Sequence, residues 1–243
     1  MNTARIAELL DPFVRSASAA GASRLSEVVL SSAQLQNISI YIDILLRWNS
    51  RINLTAIRDP EDIVTRHFGE SFFAARHLSP RDANAVAAAR ACPEPNRRGC
   101  PAERTSAALT LADLGSGAGF PGLPIKLWAP HLSLTLIESN HKKAAFLREV
   151  TRALTLTDVD IQNVRAETIP RTFDVVTLRA VERFEAILPT ASALIAPTGR
   201  MALLIGAAQQ AQARSTLPDL AWSEPLPVPQ SRSRVLLVAH SLS

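Results

Sequence analysis

Cysteine is nearly absent from this chain of 243 residues: there are two, Cys92 and Cys100, in a Pro/Arg-rich stretch without a nearby histidine. That excludes a disulfide framework and the ligand spacing of a zinc site, so no metal is expected. Long apolar runs are missing as well. No stretch approaches the ~18 consecutive apolar residues of a membrane span. The N-terminal segment carries Arg5 and Glu8 where a signal peptide needs an uninterrupted apolar core, and a cytoplasmic protein without a membrane partner is expected. A strong excess of one charge sign is also lacking: 26 Lys+Arg against 22 Asp+Glu leave +4, which permits a polyanionic partner without demanding one. With 47% hydrophobic and 20% charged residues the composition is that of a folded chain. A domain of this size buries roughly 70% or more of its unfolded surface and needs no staple.

Apolar residues Leu35, Ile38, Ile42, Leu45 and Leu46 recur at three- and four-residue steps, which predicts a helix from Ser31 to the polar run Asn49-Ser50-Arg51. Asp59-Pro60-Glu61-Asp62 then supplies an N-cap, a proline at the first helical position and acids in the first turn. Ile63, Val64, His67, Phe68 and Phe72 continue that helix. Residues 1–80 are therefore expected to form a helical N-terminal region. Residues 81–108 exchange bulky apolar side chains for Ala, Arg, Pro and Asn, and read as an inserted flexible loop. From 109 to 243 strands and helices alternate: strands near 109–114, 132–138, 159–163, 173–178 and 201–205, helices near 122–127, 142–154 and 183–194, and a final strand at 234–239. Such alternation specifies an α/β fold with a largely parallel sheet, here packed with the N-terminal helices as one domain. There is no internal repeat.

Gly115, Gly117, Gly119 and Gly122 crowd the turn between the first strand and the helix after it, the corner where α/β sheets bind nucleotides. Gly117-x-Gly119-x-x-Gly122 fits a dinucleotide fingerprint, with Glu138 near the position of a ribose-binding acid, so a nicotinamide-dependent oxidoreductase is one reading. Asp113 favours another. A carboxylate two residues before the loop repels a pyrophosphate and suits the cationic amino acid end of S-adenosylmethionine, while Glu138 is placed to accept hydrogen bonds from two ribose hydroxyls. Plainer roles stay open for both acids, Asp113 as a brace for the loop and Glu138 as a solvated strand end.

The chain resembles the RsmG (GidB) methyltransferases, which methylate N7 of a guanosine in bacterial small-subunit ribosomal RNA. The resemblance rests on Trp48-Asn49-x-x-Ile52-Asn53-Leu54-Thr55-Ala56-Ile57, Arg66-His67-Phe68 with Ser71, Asp113-Leu114-Gly115-Ser116-Gly117-Ala118-Gly119-Phe120-Pro121-Gly122, Glu138-Ser139 with Lys142, Lys143, Phe146 and Leu147, and Arg179-Ala180. It implies a class I S-adenosylmethionine-dependent methyltransferase: a Rossmann-like, seven-stranded sheet with an antiparallel last strand, preceded by N-terminal helices. It further implies S-adenosylmethionine as cofactor, S-adenosylhomocysteine as product, and 16S rRNA or the small ribosomal subunit as partner; a monomer is expected. Matched residues suggest donor contacts at Gly115, Phe120, Ala166, Glu167 and Arg179, with Glu138 as the acidic strand end. Asn53, Thr55, Arg66 and His67 border the pocket and the RNA surface, although a helical histidine flanked by aromatics is equally often just packed. Three features depart from the family: Ile205-Gly206 replaces the usual lysine-glycine, Glu70 replaces the usual aspartate before Ser71, and the insertion is long. Its Arg90, Arg97, Arg98 and Arg104 are read as keeping a loop soluble.

Guanine N7 is nucleophilic without losing a proton, so alignment rather than a general base is the main demand on this site. After the fourth strand stands Leu178-Arg179-Ala180-Val181, without the Asn/Asp-Pro-Pro-aromatic string of adenine-N6 enzymes. Neither cysteine lies where a pyrimidine-C5 enzyme places its nucleophile. Arg179 is the candidate catalytic residue; its planar fork suits guanine O6, a phosphate or the donor carboxylate alike. RNA affinity is expected from some of Arg47, Arg51, Arg58, Arg66, Lys142, Lys143, Arg232 and Arg234, of which Arg234 matches an arginine before the family's last strand. A non-catalytic RNA-binding or assembly factor on the same fold is the remaining alternative.

Overall fold

The structure, a computed structural model, describes residues 1–15, 30–78, 108–181 and 183–241. The predicted insertion, with both cysteines and its four arginines, lies outside the described residues except for residue 108.

Helix α1 (Thr3–Val14) precedes α2 (Ser32–Asn49), whose start is fixed by a capping box between Ser31 and Gln34. Asp59 caps the next helix as predicted, its Oδ1 accepting the backbone N–H groups of Glu61 and Asp62. This helix is not uniform: α3 (Pro60–Asp62) passes into a π-helical segment (Ile63–Gly69) and then α4 (Glu70–Leu78). The wide turn packs on α1 at Gly69, where a Cβ would lie 2.7 Å from the Phe13 ring.

The sheet follows: β1 (Thr110–Leu114), α5 (Gly122–Trp128), β2 (Ser133–Ile137), α6 (His141–Ala153), β3 (Val159–Gln162), β4 (Phe173–Arg179), α7 (Phe184–Ala193), β5 (Ile195–Gly206), α8 (Gln210–Thr216), β6 (Leu220–Trp222), β7 (Leu226–Pro227) and β8 (Arg234–Ser241). Seven strands run in the order β3-β2-β1-β4-β5-β8-β6, and the two-residue β7 adds an eighth beside β8. Strands β1 to β5 pair in parallel, whereas β8 is antiparallel to its neighbours. The inner strands are buried along most of their length, as parallel strands covered on both faces must be.

One hydrophobic core joins the N-terminal helices to a sheet face through Leu10, Phe68, Phe72, Leu134, Leu136 and Leu236; a second lies on the opposite face around Leu178, Leu188 and Leu203. Among the described residues no helix is long and apolar enough to cross a membrane, and no His/Cys/Asp/Glu group could hold a metal ion.

Candidate active site

The chain leaves β1 through three glycines with left-handed backbone, Gly115, Gly117 and Gly119, at φ +65°, +54° and +84°. Two neighbours make side chains intolerable here. A Cβ on Gly119 would lie 2.3 Å from Tyr41 Oη, the hydroxyl that donates to the Ala118 carbonyl at 2.5 Å, and a Cβ on Gly122 would lie 2.9 Å from Asp113 Oδ2. Asp113 is fully buried under the loop. Its Oδ1 accepts from Thr177 Oγ1 at 2.8 Å, across a pair in register between β1 and β4, and its Oδ2 accepts from Gly122 N at 3.3 Å. Burial raises this carboxyl to about 7, against the opposing hydrogen bonds from Thr177, Gly122 and Ser116 and the positive field of Arg179.

Beside the loop opens a cleft of about 330 Å³ at the carboxyl ends of the strands. Four expected residues line it: Gly115, Glu138, Ala166 and Glu167. Asp113, Gly117, Gly119, Phe120 and Arg179 are not among its lining residues. For Asp113 the hydrogen bonds are those of the loop brace, and its carboxylate faces the loop's underside. Glu138 ties the cleft together: Oε2 accepts from Gly117 N at 2.9 Å and Oε1 from Asn140 N at 2.8 Å. Each oxygen keeps a further lone pair for a ligand hydroxyl. Two exposed cations in the lining, Arg165 and Arg183, had no part in the sequence expectation. Arg165 adjoins the Ala166-Glu167 pair, which was its available signal; Arg183 stands at the start of α7 with φ 51° and carried none.

A second cluster lies past β4. The Arg179 side chain is 10% exposed, and its Nε and Nη2 donate to Glu70 Oε2 at 3.2 and 3.0 Å, while Nη2 also reaches the Arg66 carbonyl at 2.7 Å. Arg234 Nη2 donates to the same Glu70 oxygen at 3.2 Å and to the Leu204 carbonyl at 3.1 Å. Burial pulls the Arg179 guanidinium below the usual arginine range, with Glu70 opposing that effect. Glu70 itself was not an expected site residue; the departure from aspartate was its only sequence signal.

His67 is buried and stacks on Phe120 with ring centroids 4.7 Å apart, and its Nε2 lies 2.8 Å from Thr55 Oγ1. Burial first, then the charges of Arg179, Arg66 and Arg234, push it down to about 3, so it is a neutral, packed histidine. Thr55 is held by Asn49, whose Oδ1 accepts from the N–H groups of Leu54 and Thr55 and whose Nδ2 donates to the Thr55 carbonyl. The Asn-Leu-Thr string is therefore a loop wound on one buried asparagine. The structure thus gathers Thr55, His67, Phe120, Arg66, Arg179 and Arg234. Asn53 and Lys142 are exposed and Lys143 half-buried, the two lysines in the first turn of α6 where Asn140 accepts their backbone N–H groups.

Comparison with known proteins adds to this geometry. The family described as "GidB: rRNA small subunit methyltransferase G" matches residues 34–87 and 101–230. A relative from Chloroflexus aggregans, Ribosomal RNA small subunit methyltransferase G, is 34% identical over 229 residues, covering 89% of this chain and 85% of its own length. A protein of the same name from Roseiflexus sp. is 36% identical over 222 residues, covering 86% and 84%. Among solved structures, magnesium protoporphyrin IX methyltransferase from Synechocystis PCC 6803 with bound S-adenosylmethionine has a TM-score of 0.55 at 13% identity. That match covers 89% of this chain and 100% of the other, a likeness of fold.

Proposed function

The chain belongs to the rRNA small subunit methyltransferase G family, and from that premise we propose that it transfers the methyl group of S-adenosylmethionine to N7 of a guanosine in 16S ribosomal RNA. The observation that carries this reading is the placement of the Glu138 carboxylate in the cleft between Gly115 and Ala166. Carboxylates already occupy loop amides: Gly117 N donates to Glu138 and Gly122 N to Asp113. A pyrophosphate needs such N–H groups free and uncompensated by negative charge, which disfavours the nicotinamide reading.

The cleft fits the methyl donor. Gly115, exposed and lining the cleft, leaves backbone open to a ligand. In this reading Glu138 accepts from the ribose hydroxyls, and Ala166 with Glu167 flank the adenine. Bound there, S-adenosylmethionine supplies an activated methyl and a neutral leaving group, and S-adenosylhomocysteine is the product. The protein's task is then orientation: guanine N7 has an in-plane lone pair and needs no base, so holding it in line contributes several kcal/mol, on the order of effective-molarity effects. Arg179, Arg66, Arg234, Thr55, the exposed Asn53 and Lys142 and the half-buried Lys143 serve the RNA side.

We read the helical region and the sheet as one domain, supported by their shared core, and the protein as a monomer acting in the cytoplasm on 16S rRNA or the small subunit. Incubating the protein with labelled donor and either naked 16S rRNA or small subunits, then mapping N7-methylguanosine, tests the function. Label at one guanosine is expected. Calorimetric binding of NAD(P)H but not S-adenosylhomocysteine overturns the reading, and donor binding with neither RNA form labelled leaves the assembly-factor alternative.

A further inference from the structure

Glu70 sits between two arginines that the sequence places far apart. Its Oε2 accepts from Arg179, at the end of β4, and from Arg234, at the start of β8. Glu70 is buried and begins α4, directly after the π-helical segment, and Arg66 in that segment gives its carbonyl to Arg179. π-Helical turns recur at functional sites because they re-aim side chains. The ion pairs of Arg179 and Arg234 among the described residues are both with this one carboxylate, so the cluster is cationic.

Its donors are not spent. Of five N–H groups on each guanidinium, those on Nη1 of both arginines have no protein partner among the described residues, and Arg234 Nε is buried without one. Neither arginine lines the donor cleft, yet both stand on the edge where the parallel strands end, the side on which α/β sheets meet their ligands.

We infer that Glu70 is a positioning residue for methyl transfer: by sharing one oxygen between Arg179 and Arg234 it aims their unspent Nη1 groups at a phosphodiester of the RNA substrate. Two guanidiniums side by side repel each other, and the carboxylate between them sets their spacing. The Nη1 group of each arginine then donates to one of the two non-bridging oxygens of a phosphate, in a fixed relative orientation that a free surface lysine does not achieve. This inference rests on the methyltransferase reading above.

The test is steady-state methylation of RNA by the full-length wild type, Glu70→Gln and Glu70→Asp, with S-adenosylhomocysteine binding measured on the same preparations. Glu70→Gln keeps the shape and removes the charge; kcat is expected to fall about 30-fold, as when one partner of a buried charge pair is truncated. Glu70→Asp keeps the charge and withdraws it by one methylene, so it should fall in between, about tenfold below wild type. Donor affinity and stoichiometry should stay within about twofold throughout, since the donor cleft is a separate site. A purely structural role lowers donor stoichiometry in step with kcat, and a role on the donor carboxylate weakens donor affinity; either result overturns the inference, as does wild-type turnover by both variants. If Glu70→Gln does not fold, wild-type kcat in Glu70→Asp still overturns it. A wild-type enzyme that leaves RNA unmethylated overturns the functional reading and this inference with it, whereas wild-type turnover with unaffected variants sinks the inference alone.

Discussion

The carboxylate of Glu138 accepts the backbone N–H of Gly117 at 2.9 Å, so the acid at the end of the second strand is tied to the glycine loop that follows the first. The side chain that shapes the loop is thus the one the proposed function assigns to the ribose of the donor. Glu138→Ala should weaken S-adenosylhomocysteine binding by about 10- to 100-fold, the range for losing hydrogen bonds to a charged group. Calorimetry reads this directly. The fold should persist with a small drop in melting temperature, because the two backbone donors released belong to half-buried Gly117 and exposed Asn140 and can be hydrated. An unchanged affinity would make Glu138 a loop brace like Asp113.

Asp113 gives a prediction of opposite character, in stability rather than binding. Its carboxyl is raised to about 7 by burial, from an ordinary 3.8. Between those values the folded protein holds a proton that the unfolded chain has lost. The contribution of this group is therefore fully present below about pH 4 and is lost as pH rises toward 7. Asp113→Asn removes that titration. Urea unfolding at pH 5 and pH 8 should show the variant gaining on the wild type by roughly 2 to 3 kcal/mol at the higher pH. A difference independent of pH would mean that the carboxylate is charged in the fold throughout.

His67 acts in the other direction. Held neutral with a value of about 3, against an ordinary 6.5, it supports the fold above pH 6.5 and withdraws that support as pH falls. Between about pH 4 and pH 6.5 the two buried groups oppose each other; from about pH 3 to 4 His67 acts alone, and from about pH 6.5 to 7 Asp113 does. His67→Phe keeps the stack on Phe120 and loses the titration, so its unfolding free energy should fall less steeply than wild type from pH 6.5 to pH 4. For the same reason the pH dependence of methyl transfer should show no inflection from this histidine near 6.5. Rate profiles of the wild type check this, and an inflection abolished in His67→Phe would contradict the neutral, packed assignment.

Much of this was legible in the sequence, and the illegible part has physical reasons. Strands buried on both faces must be apolar runs, so 109–114 and 132–138 announced β1 and β2 nearly to the residue. The three-residue β6 and two-residue β7 owe their existence to pairing with β8, and Pro227 in β7 argues against a strand on local grounds. The π-helical segment has no signal in the periodicity of Ile63, Val64, His67 and Phe68, since a wide turn preserves an apolar face. Glycine crowding exposed the loop, but spacing alone left open whether Asp113 faces a ligand or the core; only the register with Thr177 decides that. Glu70 is 109 residues from Arg179 and 164 from Arg234, a separation at which no local pattern reports contact.

Gly119 offers the sharpest test that helix α2 and the glycine loop form one unit. Its backbone is left-handed at φ +84°, and an added Cβ would lie 2.3 Å from Tyr41 Oη and 2.6 Å from Leu123 Cδ1. Gly119→Ala therefore suffers twice, from a conformation alanine resists and from a clash with a ring that is itself locked by stacking on Phe120 at 5.3 Å. The cost should exceed about 2 kcal/mol, typical of overpacking combined with backbone strain. Tyr41→Phe relieves the contact with the hydroxyl while keeping the stack, at the loss of the bond to Ala118 worth about 1 kcal/mol. If the two positions are coupled through that oxygen, the double variant should be more stable than the sum of the single losses by at least about 0.5 kcal/mol. Strict additivity in urea unfolding would show that the loop yields without moving Tyr41, and that Leu123 or the backbone alone makes glycine necessary.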